Sequence, residues 1–221
     1  MDSKGLPVSE SEAFLLDQVP MVHRSKIPTT LKTAYAAAAA IVKSEPPLNV
    51  PSAQDNWGRI IQWCVDFGFE KLVETGEWPY EARWRSFAKP TGRYLEIVAS
   101  HSVITISQCS DPTKQPRDVV FRTNKRLNNQ GRLEGIIRDE GPSTVGLPHI
   151  LLLHGHQDLT FAHLGVPNEK HTLGYLYRTP NLMLMPHAVA STEPAIEDTD
   201  YEAVMTLKEE IDRWRKDNDA G

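Results

Sequence analysis

The sequence predicts an α+β protein in which an N-terminal helical layer packs on a mostly antiparallel sheet and a C-terminal helix closes the fold. Three observations lead to this prediction. Apolar residues repeat at helical spacing in residues 1–90, β-rich segments follow in residues 91–192, and residues 193–221 combine an acidic connector with an amphipathic helix. Antiparallel pairing is favoured because no clear crossover helix separates the predicted strands, and parallel neighbours need a connection of about a dozen residues or more. We expect the three regions to form one globular unit.

The first predicted helix is an alanine-rich run that extends to Val42. A hydroxyl cap at Thr29 or Thr30 begins it, and the high helix propensity of alanine favours its continuation. The sequence Glu45-Pro46-Pro47 then ends it, because proline cannot continue a helix.

The second predicted helix has the clearest amphipathic pattern. Ser52 and Asp55 resemble a capping box, and apolar residues recur at helical spacing from Trp57 to Leu72, so one face of this helix must be buried. All but one of the tryptophans lie between Trp57 and Phe87. We expect this region to supply much of the bulk of the core, and an aromatic groove for a ligand is the alternative.

The period changes to that of strands after residue 92. Residues 94–98 and 103–107 are β-rich and are separated by four residues, which is the layout of a hairpin. Further strands are predicted at residues 119–121, 150–153, 159–164, 173–177 and 182–185. A terminal amphipathic helix is predicted at residues 198–217, where basic side chains near the end suit the negative pole of the helix dipole.

Composition indicates a globular protein of the cytoplasm. The 221 residues are 40% hydrophobic and carry a formal net charge of −5, which is enough chain for a sizeable core. Residues 1–7 lack the pattern of a secretory signal, and the alanine run at 36–40 is too short to cross a bilayer, so we expect no membrane association. The two cysteines, Cys64 and Cys109, supply neither a disulfide framework nor a thiolate zinc site and are expected to be buried.

The densest chemical pattern is an apolar run that ends in His154, His156 and Asp158. In a strand, side chains two residues apart share a face, so these three groups would face one point. The pattern resembles the His-x-His-x-Asp element of metallo-β-lactamase-fold hydrolases, which implies zinc that activates a water. The resemblance covers these residues only, and Leu159 stands where that family has a further histidine. The alternative places Gly155 in a hairpin turn, with the histidines as loop residues.

A second pattern overlaps the first at Gln157, Leu159 and Phe161. Its spacing resembles the Gln-x-Leu-x-Phe peptides that engage the bacterial replication sliding clamp, which implies an inhibitor that docks on a partner protein. In an extended segment Leu159 and Phe161 project to the same face, as pocket binding requires. An internal strand requires the same alternation, so a buried strand is the alternative.

The third pattern is a basic, amide-rich segment at residues 116–132, to which Arg178 adds a charge from a second segment. Arginine and lysine neutralise phosphates, and asparagine contacts sugars or base edges. If the two segments are neighbours in the sheet, one positive surface results; the alternative is a strand followed by a solvated loop. The predicted nucleic-acid contacts are Arg117, Arg122, Asn124, Lys125, Arg126, Arg132 and Arg178.

Several other chemistries lack their motifs in this sequence. It contains no glycine-rich phosphate loop ending in Lys-Ser or Lys-Thr, no Gly-x-Ser-x-Gly elbow and no His-Glu-x-x-His helix. The sequence therefore favours a binding or regulatory protein, without a cofactor, that acts on nucleic acid or on a nucleic-acid-associated protein. A zinc hydrolase using His154, His156 and Asp158 is one alternative, and an inhibitor docking through Gln157, Leu159 and Phe161 is the other.

Overall fold

A six-stranded sheet, covered on one face by N-terminal helices, organises the described part of the chain. The structure is a computed structural model, and it describes residues 9–87, 92–129, 146–185, 208–210 and 212–213. The α+β prediction is confirmed, including the helical layer, the mostly antiparallel sheet and the C-terminal helix. Residues 208–210 and 212–213 are helical, and Glu210 lies 3.8 Å from Lys71, so this segment sits beside the helical layer.

The helical layer contains more helices than the sequence analysis predicted. Its members are α1 (Glu10–Gln18), α2 (Met21–Arg24), α3 (Lys26–Ser44), α4 (Pro51–Gln54) and α5 (Trp57–Glu74), with a 3₁₀ turn at Pro46–Asn49. Helix α1 was not predicted, although Ser9 and Glu12 have the spacing of a capping box. The Ser9 hydroxyl caps the helix by accepting from the Glu12 N–H at 3.2 Å. Helix α3 begins before the predicted threonines, since Pro28 fits in a first turn, where no N–H bond is needed.

The strands stand in the sheet in the order of the sequence. They are β1 (Glu81–Phe87), β2 (Gly92–Val98), β3 (Val103–Cys109), β4 (His149–Gly155), β5 (Ala162–Pro167) and β6 (Tyr175–Arg178). Neighbours pair antiparallel except β3 and β4, which are parallel from Val103 opposite His149 to Cys109 opposite Gly155. The predicted hairpin of β2 and β3 is confirmed. Strand β1 was not predicted because it is a largely exposed edge strand rich in charged residues, without the alternation of a buried face.

Two predicted strands have another structure. Of the predicted strand at 119–121, Val119 is the N-cap and the other two residues begin helix α6 (Val120–Leu127), which lies in the connection from β3 to the parallel β4. The ring of Phe121 stacks on Tyr94 of β2 with centroids 4.4 Å apart, so packing against the sheet overrides the β preference of valine and phenylalanine. Residues 182–185 form a 3₁₀ turn, because the Asn181 side chain accepts from the Met183 N–H at 3.1 Å and caps it.

The main core lies between the helical layer and one face of the sheet. Trp78 is fully buried there, with its indole N–H donating to His23 O at 2.9 Å and its ring 5.2 Å from Phe69. Trp63 and Trp84 are instead 58% and 45% exposed, so the tryptophan-rich region supplies the core only in part. Cys64 is buried as predicted, whereas Cys109 at the end of β3 is only half-buried. None of the helices in the described ranges has the length and apolar character that a membrane crossing needs.

Candidate anion-binding cleft

Lys125, a predicted nucleic-acid contact, is paired inside the protein. Its ammonium donates to the carboxylate of Glu96, which is 4% exposed and also lies 3.3 Å from Arg85 Nε. A buried carboxylate needs such partners because burial removes its hydration. Lys125 therefore ties α6 to β2 and does not face a ligand in solvent.

Arg126 is buried in a similar ion pair. Its Nη1 and Nη2 donate to the two oxygens of Asp118 at 2.7 and 3.0 Å, and its Nε donates to Glu169 O at 2.8 Å. The guanidinium of Arg126, together with the hydroxyl of Thr123, holds the pKa of Asp118 well below its usual range. Arg126 thus joins the crossover segment to the connection between β5 and β6.

The other predicted contacts do not form one positive surface. Arg117 and Asn124 are exposed, whereas Arg178 donates to Pro112 O, and Arg132 lies outside the described residues. The segment at 119–121 is helical, and β6 pairs with β5, so the predicted alignment of the two basic segments in the sheet does not occur.

Arg122 differs from Lys125 and Arg126 because it has no carboxylate partner among the described residues. Its Nη1 donates to Arg117 O at 2.8 Å and its Nη2 to Ser107 Oγ at 2.9 Å, while its Nε is buried without a hydrogen-bond partner. Burial lowers the pKa of Arg122 to about 10, so it stays protonated at neutral pH. A mostly buried cation that is held by neutral groups alone favours an anion as its neighbour.

Arg122 borders a cleft of about 430 Å³ at the carboxyl ends of the parallel strands β3 and β4. Parallel strands end at the same edge of a sheet, and ligands of open α/β sheets bind at that edge. The residues that line the cleft are Asp55, Asn56, Gly58, Arg59, Gln62, Gln108, Arg122, His156 and Gln157. The lining contains two arginines and one aspartate, so the cleft carries a net positive charge within a net-acidic protein.

The first turn of α5 forms one side of this cleft. Asn56, Gly58 and Arg59 all line it, and no side chain caps the helix, since the Asn56 amide donates instead to Ser52 O at 3.0 Å. The N–H groups at a helix start carry a partial positive charge. Helix α5 therefore adds to the positive potential that Arg59 and Arg122 create.

The close approach of α5 to the strand ends at the cleft depends on a glycine at position 58. A Cβ at Gly58 would lie 3.2 Å from both Gln108 Oε1 and His156 Cε1, so the helix approaches the strand ends closely. The Gln108 side-chain amide donates to Gly58 O and anchors this approach. Its Oε1 is buried and accepts no hydrogen bond from the described residues.

The turn from β4 to β5 brings His156 and Gln157 to the cleft. Gln157 has φ 68°, a left-handed conformation that costs a residue with a Cβ about 1–2 kcal/mol. Gly155 is required before it, since a Cβ there would lie 1.9 Å from Asp158 O. Strained backbone of this kind concentrates at ligand sites, where the surrounding structure holds it in place.

The comparisons with known proteins give no family for this chain. Models of protein families, curated proteins and solved structures were compared with it, and none matches. What the cleft binds is therefore inferred from its charge, its shape and its hydrogen-bonding groups.

The structure does not bring His154, His156 and Asp158 together as a metal site. His154 is fully buried, whereas His156 and Asp158 are exposed, because β4 ends at Gly155 and the left-handed Gln157 breaks the alternation of a strand. Within the described ranges no three His, Cys, Asp or Glu side chains are grouped so as to hold a metal ion. The hairpin of the alternative interpretation is observed, since β4 and β5 are antiparallel neighbours, but His154 and Gly155 belong to β4 and only His156 lies in the turn.

His154 instead pairs with Tyr35 of α3. The Tyr35 hydroxyl lies 2.7 Å from His154 Nδ1 and donates to Gly155 O at 2.5 Å, so its single proton is used and Nδ1–H must donate to it. Nε2 of His154 is then a buried acceptor without a partner. Burial lowers the pKa of His154 to about 3, so the imidazole is neutral at physiological pH.

The Gln-x-Leu-x-Phe segment is folded into the protein. Phe161 is 6% exposed and packs with Leu151 and Leu153, while Leu159 is half-buried against the main core. Gln157 alone of the three presents its side chain to solvent. A docking peptide must expose its apolar anchors, so this segment in its folded form does not supply them.

Proposed function

We propose that the protein binds a small ligand through an anionic, phosphate-like group held in the cleft beside Arg122. The observation that carries this proposal is the unpaired charge of Arg122 among the described residues, with an Nε–H that is buried and unbonded. A phosphate in the cleft would neutralise that charge, and a phosphate oxygen that reaches the Nε–H would satisfy the donor as well.

The electrostatics of the remaining lining support a phosphate-like group. Arg59 is exposed at the cleft, forms no ion pair with another described residue, and stands in the first turn of α5. Planar guanidinium groups match the oxygens of phosphate in geometry, and a helix start adds N–H dipoles. The volume of about 430 Å³ falls in the range of small-molecule sites, which is roughly 300–1,000 Å³.

A cleft of this size favours a small ligand over a polynucleotide. Lys125 and Arg126 are tied to carboxylates and cannot follow a phosphate backbone, so the cationic groups do not form a track. Binding of DNA or RNA stays a prediction that rests on the exposed Arg117 and Asn124. It is tested with oligonucleotides in the same experiment.

The proposal is tested by isothermal titration calorimetry with inorganic phosphate and pyrophosphate. The wild type should bind saturably, and Arg59→Gln should weaken binding by about tenfold, since each charge-assisted contact contributes roughly 1.5–3 kcal/mol. The Arg59 side chain is exposed and donates no hydrogen bond to another described residue, so its replacement should leave folding intact. Arg122→Gln should abolish binding, and Arg122→Lys should restore part of it because the charge returns.

Arg93→Gln is the matched control, because Arg93 is an exposed arginine of β2 outside the cleft. Its affinity for phosphate should equal that of the wild type. The proposal is overturned if the wild type shows no saturable binding, or if a folded Arg122→Gln variant binds as well as the wild type does. Tighter binding of a short oligonucleotide than of pyrophosphate, lost in Arg117→Gln, would overturn the small-ligand assignment in favour of a nucleic-acid interface.

A further inference from the structure

A second pocket of about 230 Å³ adjoins the anion-binding cleft. Gln157 lines both spaces, and consecutive residues at the start of α5 line one or the other. Trp57 lines the second pocket, while Gly58 and Arg59 line the cleft. The two spaces are therefore immediate neighbours, and a ligand that extends past Gln157 would reach both.

The second pocket is apolar apart from two amides. Val42, Leu48, Trp57 and Ile60 supply its apolar walls, and the side chains of Gln54 and Gln157 supply hydrogen-bonding groups. A planar ring fits such a space, since a cavity of about 150 Å³ is known to accept benzene. An aliphatic chain would make no hydrogen bond to the exposed amides of Gln54 and Gln157, whereas a nucleobase stacks on an indole and pairs its edge with an amide.

From these two spaces we infer that the ligand is a mononucleotide, with its base against Trp57 and its phosphate beside Arg59 and Arg122. This inference rests on the proposed function and names the class of ligand for it. The single acid of the cleft fits the same assignment, because the Asp55 carboxylate can accept a hydrogen bond from a ribose hydroxyl between base and phosphate. Gln157 is held in its left-handed conformation at the point where the two spaces meet.

The inference is tested by titrating the wild type with four kinds of ligand that contain the phosphate, the sugar and the base in different combinations. They are inorganic phosphate, ribose 5-phosphate, a nucleoside, and each of the four common ribonucleoside monophosphates. At least one monophosphate should bind tenfold or more tightly than ribose 5-phosphate and should quench tryptophan fluorescence. The corresponding nucleoside should bind weakly, because it leaves the two guanidinium groups without an anion.

Two variants and one control locate the base. Trp57→Ala should remove the advantage of the nucleotide over ribose 5-phosphate, and Trp63→Ala, which alters an exposed tryptophan of the same helix, should keep it. Gln157→Gly relieves the left-handed backbone and so should fold at least as well as the wild type, yet it should bind the nucleotide more weakly. This variant keeps the test decisive if Trp57→Ala does not fold.

The outcomes separate this inference from the proposed function. Binding of phosphate and ribose 5-phosphate without any gain from a base would overturn the nucleotide assignment and leave the anion site in place. A gain that survives both Trp57→Ala and Gln157→Gly would place the base elsewhere and overturn the inference as well. Failure of every ligand to bind would overturn both.

Discussion

The Nη2 of Arg122 donates to Ser107 Oγ at 2.9 Å, so the crossover helix α6 is fastened to the end of strand β3 by a cation that keeps its charge. A carboxylate in the place of Ser107 would neutralise that charge. The serine instead fixes the direction of the guanidinium and leaves it electrically free for an anion. Ser107 therefore sets the position of the Arg122 guanidinium, and the guanidinium itself carries the charge. A mutation of Ser107 changes the position alone, whereas a mutation of Arg122 changes the charge.

Removal of the Ser107 hydroxyl should weaken anion binding without removing any charge. In Ser107→Ala the guanidinium loses one of its two fixed acceptors, so the dissociation constant for phosphate should rise about fivefold, or roughly 1 kcal/mol. Calorimetric titration measures the change. Ser102→Ala is the matched control, because Ser102 is a buried serine whose hydroxyl has no hydrogen-bond partner. Equal affinities in the wild type and in Ser107→Ala would contradict the positioning role.

Addition of a methyl group at Gly58 should narrow the cleft. In Gly58→Ala the new Cβ lies 3.2 Å from Gln108 Oε1 and from His156 Cε1, so both side chains must move into the cleft or away from it. Affinity for phosphate should fall by about tenfold, while the free energy of unfolding should hold or rise, since alanine exceeds glycine in helix propensity by about 1 kcal/mol. Urea unfolding and calorimetry together check this prediction.

Gly68→Ala is the control for that substitution. Gly68 lies in the same helix, and its new Cβ would be similarly crowded, at 3.3 Å from Thr30 Cγ2, but outside the cleft. Its phosphate affinity should match that of the wild type. A loss of affinity in both variants would point to a general change in α5 and not to the cleft.

Loss of the Tyr35 hydroxyl should destabilise the helical layer. Tyr35→Phe leaves the Nδ1–H of His154 and the carbonyl of Gly155 without their partner, and a buried polar group without a partner costs about 1–3 kcal/mol. The free energy of unfolding in urea should fall by that amount. Tyr80→Phe is the comparison, because it removes a hydroxyl that makes one hydrogen bond, to Gln18 O, and it should lower the free energy of unfolding by less. An unchanged midpoint in Tyr35→Phe would contradict the described pair.

Asp66 of α5 should make the protein less stable as the pH rises. Burial raises the pKa of Asp66 from 3.8 to about 7, so the folded state holds a proton that the unfolded state has released. The stability that this group contributes is present below pH 3.8 and is lost as the pH rises through 7. Asp66→Asn keeps an acceptor for Gln62 Nε2 and removes the ionisable group. Its free energy of unfolding, relative to that of the wild type, should be about 3 kcal/mol higher at pH 7.5 than at pH 4.

Urea unfolding at the two pH values measures this difference. Asp17→Asn, which removes an exposed carboxylate of α1, is measured alongside as the control for the loss of a charge. A gain in Asp66→Asn that is the same at both pH values would show that Asp66 is ionised in the fold across this range.

The layers of the fold could be predicted because they follow from local periodicity. The spacing of apolar residues alone predicts the buried faces of α3 and α5 and the β2–β3 hairpin. The parallel pairing of β3 and β4 could not be predicted in the same way. It depends on α6, whose Val120 and Phe121 favour a strand locally and are held in a helix by the stacking of Phe121 on Tyr94.

The candidate site could be predicted only in part, for a similar reason. Arg122 was identified from the basic segment, but its orientation depends on a hydrogen bond to Ser107 of β3, and the pairing of Lys125 depends on Glu96 of β2. Arg59 and Gln108 carried no motif, since they meet only when α5 approaches the end of β3. The sequence thus shows which side chains are charged, whereas tertiary contacts decide which groups those side chains pair with.

Nuclear magnetic resonance of the arginine side chains tests the central claim most directly, because it reports on Arg122 Nε itself. The Nε–H resonance of Arg122, assigned by its absence from Arg122→Lys, is followed while inorganic phosphate is added. It should move saturably with the dissociation constant found by calorimetry, and the resonance of Arg93 should stay in place. A phosphate-dependent shift at other arginines with a stationary Arg122 resonance would contradict the account.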